Sequence, residues 1–156
     1  MTLVLHRERA TGIHPRLKSL LDTWATTGTH DVLVAPDGGL RTDEAVQAGK
    51  AASGQSNATS LRQTPHGRGG AVDVWPVSFL PFVPKQNGGT GARWVAWEHL
   101  PQQVRDEFHA FGEFAERHGF RWGGRFRGAK FPNGDQPHVE LEDWQRLPFP
   151  PVAWPA

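Results

Sequence analysis

The apolar positions change period several times along the chain. Leu17, Leu20, Leu21 and Trp24 fall at i, i+3, i+4 and i+7, one face of a helix. Pro15 suits the first turn and Gly28 the stop, so a helix is expected over about residues 15–25. Asp31 to Ala35 encloses a continuous Val-Leu-Val run, and Pro36-Asp37-Gly38-Gly39 is a strong turn signal, which together read as a buried strand. A second helix is expected from Thr42, as N-cap, to about Ser53, with Gly54 as terminator. Residues 55–70, rich in Ser, Thr, Asn and Gly, read as loop, and 71–75 as a strand. Residues 76–92 carry three Pro and three Gly and read as a long loop, a kind that is often functional. Val104, Phe108, Phe111 and Ala115 then predict a helix over 101–118, ended by Gly119. Arg121-Trp122 is expected as a short strand, 123–135 as a Gly-rich loop and 138–141 as a last strand. The tail from Arg146 holds four Pro and is expected to run extended over the surface.

Composition narrows this to an α+β domain. Gly and Pro make up about a fifth of the 156 residues, which excludes a helical bundle or coiled coil. Seven Trp and nine Phe supply burial that a disordered chain lacks. One domain over 1–156 is expected, with 146–156 as its Pro-rich tail. A net charge of +1 gives no footprint for nucleic acid. No apolar run is long enough to span a membrane. Met1 to Gly12 lacks the basic start and long apolar stretch of a signal peptide, so synthesis in the cytoplasm is expected. A monomer is expected. With no Cys there is no thiol nucleophile, no disulfide and no Cys-held zinc, so any metal site must use His and carboxylates.

Six of the eight His (His6, His14, His30, His99, His109 and His118) lie at element ends or along the long helix and read as surface or helix-end residues. His66 and His138 differ. His66 is followed by three glycines within four residues, and Asp73 then sits between Val72 and Val74. An aspartate in an apolar strand is costly unless something satisfies it. A metal ion is one solution, since His66 can fold back from its Gly-rich loop and His138 heads the last strand. Two His and one carboxylate with an open fourth position make a catalytic zinc set. The spacing leaves open the alternative that Asp73 is a strand-edge residue and both His are structural.

The pattern Thr64-x-His66-x-x-Gly69-x-Ala71-x-Asp73 resembles the Ser-x-His-x-x-Gly-x-Ala-x-Asp signature of the zinc D-Ala-D-Ala carboxypeptidase and L-alanyl-D-glutamate endopeptidase family of peptidoglycan peptidases. Trp122-Gly123-Gly124 with Asp135-x-Pro137-His138 is similar to a segment of the endopeptidase branch, as are Gly12-Ile13-His14-Pro15-x-Leu17 and Gly39-Leu40-Arg41-Thr42. That branch includes phage endolysins. Thr64 departs from the usual Ser but keeps a hydroxyl. The Glu-Gln usual after Arg-Thr is matched weakly, at Glu44 and Val46.

The resemblance implies an α+β fold with a small antiparallel sheet carrying the ligands, flanked by helices as in hedgehog-like peptidases. It implies zinc on His66, Asp73 and His138, with Arg41 stabilising the oxyanion. A general base is needed as well. Strand alternation favours Glu140, which shares a face with His138. The family position favours Asp135, three residues before His138. Thr64 is a candidate substrate or zinc-shell contact, or a turn hydroxyl. Trp75 and Trp122 are candidate cleft walls, or core residues. The implied activity is cleavage of the peptidoglycan stem peptide at the L-alanyl-D-glutamate bond, as in an endolysin that reaches the cell wall by holin-type or effector-type release. The alternatives are a D-alanyl-D-alanine carboxypeptidase and a non-catalytic zinc-bearing binding module.

Overall fold

The computed structural model describes residues 1–84 and 94–154. Five short strands form one sheet: β1 (Val4–Leu5), β2 (Val32–Val34), β3 (Ala71–Pro76), β4 (Arg121–Trp122) and β5 (His138–Glu140). Their spatial order is β1-β2-β3-β5-β4. The pairs β2–β3, β3–β5 and β4–β5 are antiparallel, and β1 adds a parallel edge on β2. Two residues are too short to show a period, so β1 leaves no signal in the sequence beyond a small apolar patch.

Strand alternation sorts the sheet into two faces. Val72, Val74, Val139 and Trp122 bury themselves with Leu17, Leu20, Leu21 and Trp24 of helix α1 (Pro15–Thr27). Phe111, Phe114 and Ala115 of helix α3 (Gln102–Arg117) complete this core. Trp122 sets how closely α3 approaches, because a Cβ on Gly112 would lie 2.1 Å from its ring. Val104 and Phe108, earlier on α3, join Leu33, Trp75 and Phe79 in a second cluster. The alternate residues Ala71, Asp73, Trp75, His138 and Glu140 share the other face of the sheet.

Several boundaries move from those expected. α1 runs to Thr27, with the His14 ring accepting the Arg16 N–H at its start. Helix α2 (Glu44–Ala52) is capped by Asp43 rather than Thr42: the Asp43 carboxylate accepts from Ala45 and Val46, and carries a charge suited to the helix N-terminus. The 55–70 loop contains 3-10 turns at Leu61–Gln63 and Pro65–Arg68. The start of the expected 76–92 loop is a 3-10 helix, Val77–Phe82, and residues 85–92 lie outside the described residues. The tail makes a turn at Trp144–Arg146 and then has no regular structure to Trp154. It is tied down by Arg68, whose guanidinium donates to the Gln145 and Leu147 carbonyls. Residues 155–156 of that tail lie outside the described residues.

Candidate metal centre and active site

The β3–β5 register places Asp73 directly opposite His138 and Ala71 opposite Glu140. His66 arrives from the Pro65–Arg68 turn, whose first residues are fixed by the Thr64 hydroxyl accepting the His66 N–H at 3.3 Å. The His66 ring is held by its Nδ1–H, which donates to the Gly39 carbonyl at 3.0 Å. Gly39 is required there, because a Cβ would lie 2.2 Å from the Arg9 carbonyl oxygen. The Pro36–Gly39 turn therefore does more than end β2: it orients a ring 27 residues on.

Three donor atoms converge. His66 Nε2 is 3.3 Å from His138 Nδ1 and 3.3 Å from Asp73 Oδ1, and His138 Nδ1 is 3.2 Å from the same oxygen. This nearly equilateral triangle matches a tetrahedral face with ligands ~2.0–2.1 Å from zinc, whose edges are about 3.3–3.4 Å. The far side of each ring is committed, His66 to Gly39 and His138 through Nε2–H to Glu140 at 2.8 Å. Such partners fix which nitrogen faces the metal. Two ring nitrogens and a carboxylate oxygen facing one another need a cation or a proton between them. The donor set therefore fits zinc.

The electrostatics agree with a site built to share a positive charge. Burial holds His66 below its ordinary value. Burial also opposes the His138 imidazolium, but hydrogen bonds to Asp73 and Glu140 overcome it and push the group up to about 10. Burial works against the Asp73 carboxylate, yet His66 and His138 hold it well below the usual range. Asp135, 4.0 Å from His138 Nδ1, is pushed up to about 6, first by burial and then by the charge of Asp73. A carboxylate poised near neutrality is suited to taking and returning a proton. Gly123 lets the Asp135 segment close over the site, since a Cβ there would meet the Asp135 carbonyl at 2.4 Å.

Arg41 lies beside the cluster. Its guanidinium pairs with Asp73 Oδ2 at 3.3 Å and donates to the Asp37 carbonyl and to the Gln47 side chain. Three of its five N–H groups are thus used, and two remain for another acceptor. Gln47 is fully buried and also donates to Ser56 and the Ala58 carbonyl. Sequence reasoning missed it, because a Gln within a helix reads as a surface residue. The available signal was a Gln one turn into a capped helix, six residues after Arg41.

A cleft of about 1430 Å³ runs over these residues. Thr64, Trp75, Arg41, His66, Asp73, Asp135 and His138 all line it. Trp122 does not. It is 1% exposed, donates its indole N–H to the Gln136 carbonyl and belongs to the core. The reason is alternation: on β4 the neighbouring Arg121 takes the cleft face, so Trp122 takes the other. Glu140 shares the His138 face, as alternation requires, but it binds the ring nitrogen turned away from the cluster.

No curated protein matches the chain. Its fold is similar to the crystal structure of the Serratia marcescens L-Ala D-Glu endopeptidase ChiX, with a TM-score of 0.59 and 23% identity over 93% of this chain and 94% of that one. The family model described as D-alanyl-D-alanine carboxypeptidase matches residues 57–141, which include the three donors and Asp135. With more than half of its length matched, the chain belongs to the D-alanyl-D-alanine carboxypeptidase family of peptidases.

Proposed function

We propose that the protein is a zinc-dependent peptidoglycan peptidase that cleaves the L-alanyl-D-glutamate bond of the stem peptide. The observation that carries this reading is the triangle of His66, Asp73 and His138 with Asp135 4.0 Å from His138 Nδ1. A zinc ion held by the triangle would polarise the scissile carbonyl and acidify a water. Asp135 would take the proton of the attacking water and return it to the leaving amine. The free N–H groups of Arg41 would meet the carbonyl oxygen as it gains charge. The Arg41–Asp73 pair and the Gln47 contact hold that guanidinium in place before substrate arrives.

The endopeptidase is favoured over the carboxypeptidase by the cleft itself. A terminal carboxylate needs a dedicated cation beside the metal. Arg41 pairs with Asp73 and in this reading turns its remaining N–H groups to the scissile carbonyl, while Arg121 in the same lining pairs with Glu140. An internal bond suits an open cleft with walls on both sides of the metal. No helix among the described residues is long and apolar enough to cross a membrane, and the reading is of an endolysin-type enzyme acting on the cell wall. The test is mass spectrometry of purified disaccharide-tetrapeptide muropeptides digested with zinc-loaded protein. A new D-glutamate N-terminus supports the endopeptidase. Release of terminal D-alanine assigns the carboxypeptidase. Uncleaved muropeptide with zinc bound assigns a binding module.

A further inference from the structure

The cleft has two unlike halves, and the metal cluster lies between them. On one side stand Trp75, Phe79, Trp94 and Trp97. Trp94 lies parallel to Phe79 at 6.1 Å and edge-on to Trp75 at 5.9 Å, yet it is 50% exposed. Val95 beside it is 38% exposed. On the other side stand Lys50, Arg121, Arg127 and Lys130. The acids in the lining are Asp73, Asp135 and Glu140 of the cluster, the last of them 3.5 Å from Arg121, and Asp37 of the turn that holds Arg41.

The strand register fixes this arrangement. Trp75 is two residues beyond Asp73 on β3, about 7 Å along the strand, and pairs with Leu33 of β2. Arg121, on the edge strand β4, pairs with Glu140 and is displaced from His138 in the opposite direction along the strands. Arg121 stacks on Phe126, which is followed at once by Arg127. Lys130, three residues further, reaches the carbonyls of Ala51 and Ser56 at the end of α2. Asp135 ends this same segment.

We infer that the halves set the direction in which the substrate lies: the amino sugar on the Trp94 side and the acidic stem on the Arg127 side. The inference rests on the peptidoglycan reading above and adds a polarity and two recognition subsites to it. In a stem peptide the L-alanine amine is acylated by the lactyl group of an N-acetylated amino sugar. The D-glutamate, joined onward through its γ-carboxyl, keeps a free α-carboxylate next to the scissile bond. A sugar ring presents an apolar face and an acetyl methyl, which suit an exposed aromatic plane. A carboxylate suits this wall, where Arg121 is paired with Glu140 but Arg127 and Lys130 meet backbone carbonyls. The proton inventory agrees. The leaving amine belongs to D-glutamate and must lie beside Asp135, and Asp135 is carried by the basic segment.

Three substrates test this: the disaccharide-tetrapeptide, the same tetrapeptide acetylated at its N-terminus without sugar, and that sugar-free peptide with the D-glutamate α-carboxyl amidated. Trp94→Ala should lower kcat/KM on the sugar-bearing substrate about tenfold and on the sugar-free peptide less than twofold. Arg127→Gln and, independently on α2, Lys50→Gln should shrink the preference for carboxylate over amide by roughly three- to tenfold. Both should leave the amidated peptide unchanged and zinc content intact. Cleavage with flat ratios overturns the polarity alone. Sugar dependence that moves with Arg127 or Lys50, and acid preference that moves with Trp94, reverses it. No cleavage of any substrate by zinc-loaded wild type overturns the peptidase reading and the polarity with it.

Discussion

His138 donates its Nε2–H to Glu140 Oε1 at 2.8 Å, while its Nδ1 lies 3.2 Å from Asp73. One ring thus joins a buried carboxylate behind it to a half-buried carboxylate in front. Arg121 closes the chain, 3.5 Å from the second Glu140 oxygen. The arrangement makes Nδ1 more basic and fixes its direction, as suits a nitrogen that would hold a metal. Glu140→Ala should therefore weaken zinc binding about 10–100-fold without unfolding the domain. Chelator competition read against far-ultraviolet circular dichroism checks this. Unchanged zinc affinity would show that Glu140 acts only in packing.

Without metal, His138 takes up a proton in place of the ion, because Asp73 and Glu140 push it up to about 10 despite burial. Zinc must displace that proton, so binding at pH 7–8 should release about one proton per ion. Calorimetry in buffers of different ionisation enthalpy measures the number. The same group gives the apo form a pH dependence. Its folded value exceeds the unfolded one of about 6.5, so its contribution is full below 6.5 and is lost as pH rises toward 10. Apo stability should fall across that alkaline window, and the zinc form should fall less. Equal slopes for the two forms would refute the assignment.

Removing Gln47 should loosen Arg41. Gln47→Leu leaves the Arg41 N–H, the Ser56 hydroxyl and the Ala58 carbonyl without their partner. An unsatisfied buried polar group costs about 1–3 kcal/mol, so a clear drop in Tm is expected. Turnover should also fall, with zinc content unchanged. Gln47→Glu, which restores an acceptor for Arg41, should recover activity before it recovers stability. A Gln47→Leu variant with normal turnover would place Arg41 outside the reaction.

The elements legible in the sequence were those with a repeating signal. α1, α3 and β3 stand within two residues of where Leu17–Trp24, Val104–Ala115 and Ala71–Trp75 placed them. β1 escaped because two residues carry no period. α2 shifted because both Thr42 and Asp43 are good caps, and Asp43 also offers a charge to the helix N-terminus. Asp73 stood out as a carboxylate between two valines. Trp122 could not be assigned from its type alone; its side of the sheet depends on a register that only the fold supplies. Gln47 was hidden for the same reason, since its burial arises from Arg41 and the 56–58 segment folding against α2.

Gly112 should be intolerant of any side chain. It lies mid-helix, where glycine is unfavourable by itself, and its place is explained by Trp122 pressed against it. Gly112→Ala gains helix propensity but forces α3 off the sheet, for a net loss of roughly 1–3 kcal/mol. For a chain of this size that is a Tm decrease of several degrees, about 2–4 °C per kcal/mol. A Gly112→Ala protein as stable as wild type would show that the helix can move without cost.

The sharpest test concerns the proton carrier. Asp135 and Glu140 both stand near His138, but they address different nitrogens. Asp135 faces Nδ1 on the open side at 4.0 Å, and Glu140 binds Nε2 behind the ring. Only the first stands on the side of the ring that faces His66 and Asp73. Asp135→Asn keeps the size of the group and cannot accept the proton, so turnover should fall on the order of 10²–10⁴-fold with zinc retained. Glu140→Gln keeps an oxygen for the His138 N–H and should lose far less, at most ~10–100-fold. Arg41→Ala should cost roughly 10²–10³-fold as a lost oxyanion donor. It also uncovers the Asp73 carboxylate, so zinc must be measured alongside activity on every variant. Near wild-type digestion of muropeptides by Asp135→Asn, with Glu140→Gln inactive and zinc bound in both, would transfer the base to Glu140. That outcome would require the His138 ring to turn over in the working enzyme.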